Sequence, residues 1–304
     1  MFPYIGGKAH HVKWMDPLFP NEFDTFVEVF GGAGWVSVKS TKVEQASTRI
    51  YNDYNPLLAN VFECLRTNTA GVLELMNNTP KSDLVLYKQY QQELFGDLDW
   101  ANVSLGNIEL AVKYLYLQTQ VFAGTPLSTT NVAYFTETKA NGKYPSKYDT
   151  FKKKLVNETL VTRLHNITKV ENLDCEELIR QYDSPSTFFY VDPPYYKMES
   201  YYSKDFPREK HKSLSETLNQ IQGKFALSYY EYDDLHEFYP EDVFVWHRQN
   251  VYRSAATRSS TTKSKEEYNK KSKGTEILIM NYTPTPVVKE EKTSVPLKKF
   301  FEFT

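Results

Sequence analysis

The sequence predicts an α/β protein built on a Rossmann-like, doubly wound parallel sheet. Residues 25–30 have the apolar and β-branched character of a short buried strand, which runs into a glycine-rich turn and a helical pattern over residues 35–43. A second strand over residues 49–52 closes on Asp53, and a helix with proline at its start follows. A strand, a glycine turn, a helix and another strand are typical of the start of such a sheet.

The later elements continue this alternation. Further helices are predicted at residues 56–65, 84–95, 108–121, 150–164, 175–182 and 207–221, and further strands at residues 167–170, 187–191, 225–229, 243–246 and 276–282. Residues 122–148 show neither helical nor strand periodicity of apolar residues and are rich in turn-forming residues, which indicates loops and a short hairpin. We therefore expect a main domain of residues 1–120 and 150–283, a small insertion at residues 121–149 and a C-terminal tail at residues 284–304.

Composition indicates a soluble globular protein. The 304-residue chain has a net charge of -2, a pI of about 6.3 and a mean hydropathy of -0.56. No apolar run approaches the roughly 20 residues of a membrane helix. Cys64 and Cys175 are too far apart in sequence for a Cys-x-x-Cys motif, so we expect a reducing, cytoplasmic setting with no disulfide and no thiolate metal site.

Positive charge is concentrated in two segments. Residues 248–273 carry eight lysines and arginines against two glutamates, and residues 139–154 carry six lysines against one aspartate. Two basic segments on a near-neutral protein suit a polyanion bound on one face. Solvated loops are the alternative, and charge alone favours them.

The glycine turn after the first strand indicates a nucleotide-like ligand. Glycines there let the backbone approach a ligand closely, which NAD, FAD or plain turn geometry would also explain. No Gly-Lys-Ser/Thr follows, so a P-loop is poorly supported. The acids Glu28, within the strand, and Asp53 favour S-adenosylmethionine, because they can accept hydrogen bonds from ribose hydroxyls and this cofactor has no pyrophosphate. For Asp53 alone, a helix N-cap explains the residue equally well.

The second motif is Asp192-Pro193-Pro194-Tyr195, directly after the strand at residues 187–191. The exocyclic amine of adenine is a poor nucleophile because its lone pair is delocalised into the ring. A carboxylate and a rigidly aimed carbonyl can accept its N–H bonds and hold it in line with a sulfonium methyl. The prolines fix the chain, and Tyr195 offers a flat face to an extruded base. The alternative is a capped strand end with a Pro-Pro turn.

Together with Tyr4-Ile5-Gly6-Gly7-Lys8, which alone would be only a flexible turn, these motifs resemble the Dam-type family of adenine-N6 DNA methyltransferases. The resemblance covers residues 4–8, 26–34, 52–55, 192–195 and 276–282, in the family's order. Val29 replaces the family's usual proline, and Cys175 replaces the usual aromatic residue. Residues 121–126 follow the family only loosely, so no target sequence is carried over.

The resemblance implies a Rossmann-like S-adenosylmethionine-dependent methyltransferase fold, with the insertion as the DNA-recognition region. It implies cofactor contacts from Tyr4, Lys8, Glu28, Phe30, Gly32, Gly34, Asp53, Asp174 and Asp192. The catalytic residues would be Asp192, Pro193, Pro194 and Tyr195, acting by base flipping and in-line transfer. Cytosine-N4 methylation, RNA methylation and a catalytically inactive DNA- and cofactor-binding homologue remain alternatives.

The expected partner is double-stranded DNA, bound by a monomer or weak dimer in the cytoplasm of a bacterial or phage-infected cell. A companion restriction nuclease would also fit such an enzyme. No metal is required by this chemistry, and adjacent histidines such as His10 and His11 cannot share one helical face. We expect all six histidines to be solvent-exposed rather than metal ligands.

Overall fold

A seven-stranded sheet forms the centre of the computed structural model, which describes residues 1–133, 146–196, 206–252 and 273–285. The strands are β1 (Thr25–Glu28), β2 (Thr48–Asn52), β3 (Lys169–Glu171), β4 (Thr187–Val191), β5 (Lys224–Tyr230), β6 (Val245–Tyr252) and β7 (Lys273–Met280). Their order is β3-β2-β1-β4-β5-β7-β6, parallel except that β7 runs antiparallel between β5 and β6. The predicted α/β fold with a doubly wound sheet is confirmed.

The order of strands reverses direction between β1 and β4. Glu28 at the end of β1 is level with Tyr51 of β2 on one side and with Tyr190 of β4 on the other. The carboxyl ends of these three strands therefore meet at one edge of the sheet. In open parallel sheets, ligands bind at such a switch point.

Helices cover the sheet and build a helical layer beside it. They are α1 (Val12–Met15), α2 (Trp35–Lys39), α3 (Pro56–Asn78), α4 (Leu84–Gln92), α5 (Ile108–Gln120), α6 (Lys147–Lys154), α7 (Glu158–His165), α8 (Cys175–Tyr182), α9 (Arg208–Leu218) and α10 (Leu235–Phe238). Within the described residues, no helix combines the length and apolar character needed to cross a membrane.

Alternate strand residues supply two different cores. Phe26 and Phe188 pack with α1 and α2 on one face, whereas Val27 and Phe189 pack with α8 and α9 on the other. The period of two along a strand sends neighbouring side chains to opposite faces, so continuous apolar strands fill both cores.

Several predicted elements differ from the observed ones. The helices predicted at residues 35–43 and 207–221 end at Lys39 and Leu218, and the strand predicted at residues 243–246 runs from Val245 to Tyr252. The helix predicted at residues 56–65 continues to Asn78, with one non-helical residue at Asn68. The helix predicted at residues 150–164 is two helices, because the Asn157 side chain accepts a hydrogen bond from Leu160 N and starts α7. The helix predicted at residues 84–95 ends at Gln92 and continues as a π-helical turn.

Several predicted features fall on residues 134–145, 197–205, 253–272 and 286–304, outside the described residues. They include most of the basic segment 248–273, part of the insertion and most of the tail. Of the basic residues that are described, Lys154 donates to Met1 O at 2.7 Å, and Arg248 pairs with Glu241 at 2.7 Å. The domain boundaries and the role of the basic segments in binding a polyanion stay predictions.

Candidate active site

A cavity of about 380 Å³ lies at the carboxyl ends of β1, β2 and β4. Every predicted cofactor residue except Gly34 lines it, together with Pro194. Its other lining residues are Ile5, Gly6, Gly7, Gly31, Ala33, Trp35, Tyr54, Asn55, Cys175, Tyr190, Phe206 and Lys210. The fold thus brings the separate sequence motifs into one pocket of a size typical for small-molecule ligands, which is about 300–1,000 Å³.

The glycine turn forms the floor of this pocket. Gly32 and Gly34 have φ of +52° and +63°, which favours glycine over residues with a side chain. A Cβ on Gly34 would lie 2.5 Å from the ring of Phe62, and one on Gly32 would lie 3.2 Å from the ring of Tyr4. Gly34 therefore serves close packing behind the turn, while Gly32 and Tyr4 face the cavity.

Glu28 is 2 % exposed and holds the turn against α2. Its carboxylate accepts hydrogen bonds from Ser37 N at 3.0 Å, from Val36 N at 3.3 Å and from the Ser37 hydroxyl. Burial raises the pKa of Glu28 to about 7, although these donors lower it. Its carboxylate is thus already engaged by the fold at the pocket wall.

Asp53 ties the glycine turn to the start of α3. It accepts from Gly32 N at 2.9 Å and from Asn55 N at 2.8 Å, and burial raises its pKa to about 6. The N-cap of α3 is Asn55, whose side chain accepts from Leu57 N and Leu58 N. The N-cap explanation therefore applies to Asn55, and Asp53 lines the cavity.

Asp192 leaves the end of β4 and meets Lys8 from the N-terminal segment. Lys8 Nζ lies 3.0 Å from Asp192 Oδ1 and 2.9 Å from Glu276 Oε1. Burial raises the pKa of Asp192 to about 6, with Lys8 acting in the opposite direction. Burial opposes the charge of Lys8, but the two carboxylates outweigh it and raise its pKa well above the usual value.

Glu276 lies beneath this ion pair on β7 and is fully buried. Its Oε1 accepts from the Tyr195 hydroxyl at 2.5 Å and from the Ser228 hydroxyl at 2.7 Å. The site predicted from the sequence did not include Glu276 or Ser228. The sequence did contain one signal for Glu276, which is a charged residue directly before the apolar run Ile277–Met280. A charged residue that is fully buried in a strand is almost always paired, so a partner for Glu276 could have been sought.

Tyr195 is buried at 6 % exposure, with its ring stacked on Tyr229 at 5.2 Å between centroids and edge-on to Tyr230 at 4.6 Å. Lys8 also donates to its hydroxyl at 2.5 Å. Pro193 is buried as well, whereas Pro194 faces the cavity. Stacking of a base on Tyr195 stays a prediction. The Tyr195 hydroxyl, in contrast, is hydrogen-bonded to both Lys8 and Glu276.

The other end of the cavity is bounded by Phe30 and Phe206, whose rings meet edge-on at 5.7 Å. Asp174 caps α8 by accepting from Glu176 N, and its Oδ2 lies 3.2 Å from Lys210 Nζ. The sequence-based site did not include Phe206 and Lys210, because nothing in their local pattern links them to the distant glycine turn.

The expectation that all histidines are exposed is wrong for His211, which is 2 % exposed, and for His11 and His247, which are half-buried. The Nδ1 of His211 lies in hydrogen-bond contact with the Tyr229 hydroxyl, and its ring packs edge-on to Phe206 at 4.6 Å. It is a packed polar residue of α9. Within the described residues, no group of three or more histidine, cysteine, aspartate or glutamate side chains is arranged to hold a metal ion.

The described part of the insertion contains a compact loop at residues 126–131. Asn131 donates to Pro126 O at 3.0 Å and accepts from Ser128 N. Gln91 of α4 is 3 % exposed and donates to Ser128 O at 2.7 Å and to Asn131 O at 3.0 Å. Upstream of this loop, Ile5 N donates to Gly124 O at 3.1 Å, which connects it to the N-terminal segment of the pocket.

A family model for the D12 class N6 adenine-specific DNA methyltransferases matches residues 4–273. The match covers all the residues that line the cavity, including Lys8, Asp53 and Asp192. No curated protein matches the chain.

Proposed function

Because the chain belongs to the D12 class of N6 adenine-specific DNA methyltransferases, we propose that its cavity binds S-adenosylmethionine and receives an adenine flipped out of double-stranded DNA. The family makes the chain a DNA adenine-N6 methyltransferase, which decides between adenine N6 and the cytosine-N4 alternative. The observation that carries the proposal is the cavity itself, where the glycine turn, Asp53 and Asp192 converge.

The residues present suit this cofactor. The backbone of Gly31 and Gly32 lines the cavity at the carboxyl end of β1, and the ring of Tyr4 lies beside Gly32. Asp53 has a carboxylate at the end of β2, where ribose hydroxyls can donate to it. Phe30 and Phe206 supply an aromatic surface against which a purine ring can pack, and the Asp174 carboxylate lines the same cavity, where it can accept from an exocyclic amine.

The cofactor supplies an electrophilic sulfonium methyl group. Asp192 would accept a hydrogen bond from the N6 amine, which localises the nitrogen lone pair and aims it at the methyl carbon. The N–C bond would form as the S–C bond breaks, a neutral thioether would leave, and one N6 proton would pass to Asp192 or to solvent. Lys8 keeps the Asp192 carboxylate ionised and oriented before the reaction.

The position of Asp192 supports base flipping as part of this proposal. Its side chain is only 16 % exposed, so an adenine that remains paired within a duplex cannot bring N6 to the carboxylate. Enzymes that act on a base take it out of the stack at a cost of a few kcal/mol. Pro194 lines the cavity next to Asp192 and would contact the extruded base.

The test is a product analysis. The protein is incubated with amplified, unmethylated duplex DNA and methyl-labelled S-adenosylmethionine, and the DNA is digested to nucleosides. Label in N6-methyldeoxyadenosine that depends on Asp192 supports the proposal. Label in another nucleoside, or equal labelling by the Asp192→Ala variant, contradicts it. Single-stranded DNA and RNA in parallel reactions test the choice of duplex DNA.

A further inference from the structure

The most buried charged group near the pocket is one to which the proposed mechanism gives no part. Glu276 is 0 % exposed and lies on β7, which pairs with β5 and β6 rather than with the strands that form the pocket. It is absent from the cavity lining. Glu276 therefore acts on the reaction, if at all, through other residues.

The contacts of Glu276 converge on Lys8. Its Oε1 lies 2.9 Å from Lys8 Nζ, and the same ammonium lies 3.0 Å from Asp192 Oδ1. Tyr195 and Ser228 donate to the same Oε1, whereas Oε2 has no hydrogen-bond partner among the described residues. One lysine thus joins a carboxylate inside the pocket to one behind it.

We propose that Glu276 is a positioning residue for methyl transfer: by sharing the ammonium of Lys8, it sets the orientation and the effective charge of the Asp192 carboxylate. The inference rests on the role proposed for Asp192. With Lys8 positive and both acids ionised, the cluster carries one net negative charge. That charge faces the amine nitrogen as it becomes positive, and it strengthens the interaction in the transition state.

Among the described residues, the charged and titratable groups around Asp192 come from four strands, the N-terminal segment and the loop after β4. They are Glu28 of β1, Tyr190 of β4, Tyr229 of β5, Glu276 of β7, Lys8, and Tyr195 of the loop. Burial holds the pKa of each of these three tyrosines well above its usual value, so they stay neutral near pH 7. His11 also lies 3.8 Å from Glu276, and burial lowers its pKa. Of the charges near Asp192, those of Lys8 and Glu276 therefore act most directly.

The sign of the effect on pH dependence follows. Glu276 acts to raise the pKa of Asp192, which is about 6, and Lys8 acts to lower it. Replacing Glu276 by glutamine leaves Lys8 with Asp192 as its only carboxylate partner in the described part of the chain. The pKa of Asp192 then falls, and its carboxylate becomes a weaker hydrogen-bond acceptor for the amine. The acid limb of the pH–rate profile for methyl transfer moves to lower pH.

The experiment measures single-turnover methyl transfer to unmethylated duplex DNA from pH 5 to pH 8. Glu276→Gln is expected to lower the plateau rate on the order of 10- to 100-fold and to move the acid limb to lower pH. Affinity for S-adenosylhomocysteine should stay within about threefold, since Glu276 does not line the cavity. Glu44→Gln is the matched control, because Glu44 pairs with Arg163 at 2.6 Å outside the cavity.

A plateau rate within about twofold of the parent, or a reduced rate with an unmoved acid limb, overturns the inference. If Glu276→Gln does not fold, Glu276→Asp decides, because it draws the carboxylate away from Lys8 without removing it. Its acid limb must also move to lower pH, and an unmoved limb overturns the inference. Asp192→Ala separates the two proposals. Its activity tests the catalytic role of Asp192, whereas a parental rate and pH profile in Glu276→Gln contradict only the positioning role of Glu276.

Discussion

Lys8 Nζ lies 3.0 Å from Asp192 Oδ1, so the N-terminal motif and the motif after β4 meet in one ion pair. The resemblance to known methyltransferases had implied that Lys8 contacts the cofactor and that Asp192 acts on the amine. Because Lys8 lines the cavity and also holds Asp192, the two tasks are physically connected. A change at Lys8 should therefore alter the reactivity of Asp192 as well as cofactor binding.

Replacing Asp192 by alanine should slow the chemical step severely and preserve binding. The carboxylate interacts with the amine most strongly in the transition state, so the expected loss in single-turnover rate is about 10²- to 10⁴-fold. Calorimetry with S-adenosylhomocysteine and thermal unfolding should show a folded protein that binds the cofactor product. Asp242→Ala, at an exposed position, is the control. Near-normal turnover by Asp192→Ala would contradict the catalytic assignment.

Asp53→Asn should weaken cofactor binding more than DNA binding. The two carboxylate oxygens of Asp53 accept from Gly32 N and Asn55 N and would also accept from a ribose hydroxyl. The asparagine amide has only one oxygen that can accept a hydrogen bond. Loss of a charged hydrogen bond predicts a dissociation constant for S-adenosylhomocysteine raised about 10-fold or more. Asp233→Asn, at an exposed position, controls for the change of charge. Unchanged affinity in the Asp53 variant would remove this residue from the cofactor site.

Lys8→Met should destabilise the protein, and adding Glu276→Gln should restore part of the loss. The single change leaves Asp192 and Glu276 as two buried carboxylates without their counterion, which costs on the order of 3–5 kcal/mol. The second change removes one of these charges. Denaturant unfolding at pH 7 of both single variants and the double variant measures the coupling. If the effects are simply additive, Lys8 and Glu276 do not act as a pair in the folded protein.

The sheet could be predicted because its strands carry strong local patterns. The predicted strand at residues 187–191 and the predicted helix at residues 175–182 agree with β4 and α8 at both ends. The helix limits were less accurate because they depend on single side chains. Asn157 starts a new helix by accepting from Leu160 N, and this contact is not distinguishable in sequence from a polar residue on a helix surface.

The motifs that line the pocket were also predicted from local sequence patterns. The buried contact between Ser228 and Glu276 behind the pocket was not predicted. Ser228 of β5 donates to Glu276 of β7 diagonally across the two strands, since Ser228 is level with Leu278 and Glu276 is level with Tyr230. Strand pairing between such distant segments cannot be read from local periodicity. Glu276 entered the sequence interpretation only as part of a terminal strand motif. Its contact with Lys8 required the assembled sheet.

Glu28 should make the cofactor-free protein less stable as pH rises. Burial raises its folded pKa from 4.5 to about 7, so its stabilising contribution is complete below about pH 4.5 and is lost as pH rises through about 7. Thermal midpoints from pH 5 to pH 8 should therefore fall less in Glu28→Gln than in the parent. Glu44→Gln should keep the parental slope, since Glu44 lies on the surface. A Glu28→Gln slope equal to that of the parent would show that Glu28 is ionised throughout this range.

The loop at residues 126–131 should determine which DNA sequences are methylated, with different roles for its residues. Thr129 and Thr130 are exposed, whereas Asn131 is engaged within the loop and Gln91 supports it from α4. Thr129→Ala is therefore expected to change the preferred sites, because an exposed hydroxyl can contact base edges. Gln91→Ala should instead weaken discrimination among all sites, because the loop loses two hydrogen bonds that fix its shape.

Sequencing of methylated adenines in DNA treated with each variant measures both effects. Gln89→Ala is the matched control, since Gln89 is exposed on the same helix and bonds to Glu93 rather than to the loop. Affinity for S-adenosylhomocysteine should stay unchanged in all three variants, because none of these residues lines the cavity. A site preference that is identical in the parent, Thr129→Ala and Gln91→Ala would place target recognition outside this loop. The basic residues 253–272 would then be the next segment to test, and phosphate contacts alone there would change the salt dependence of binding without changing the preferred site.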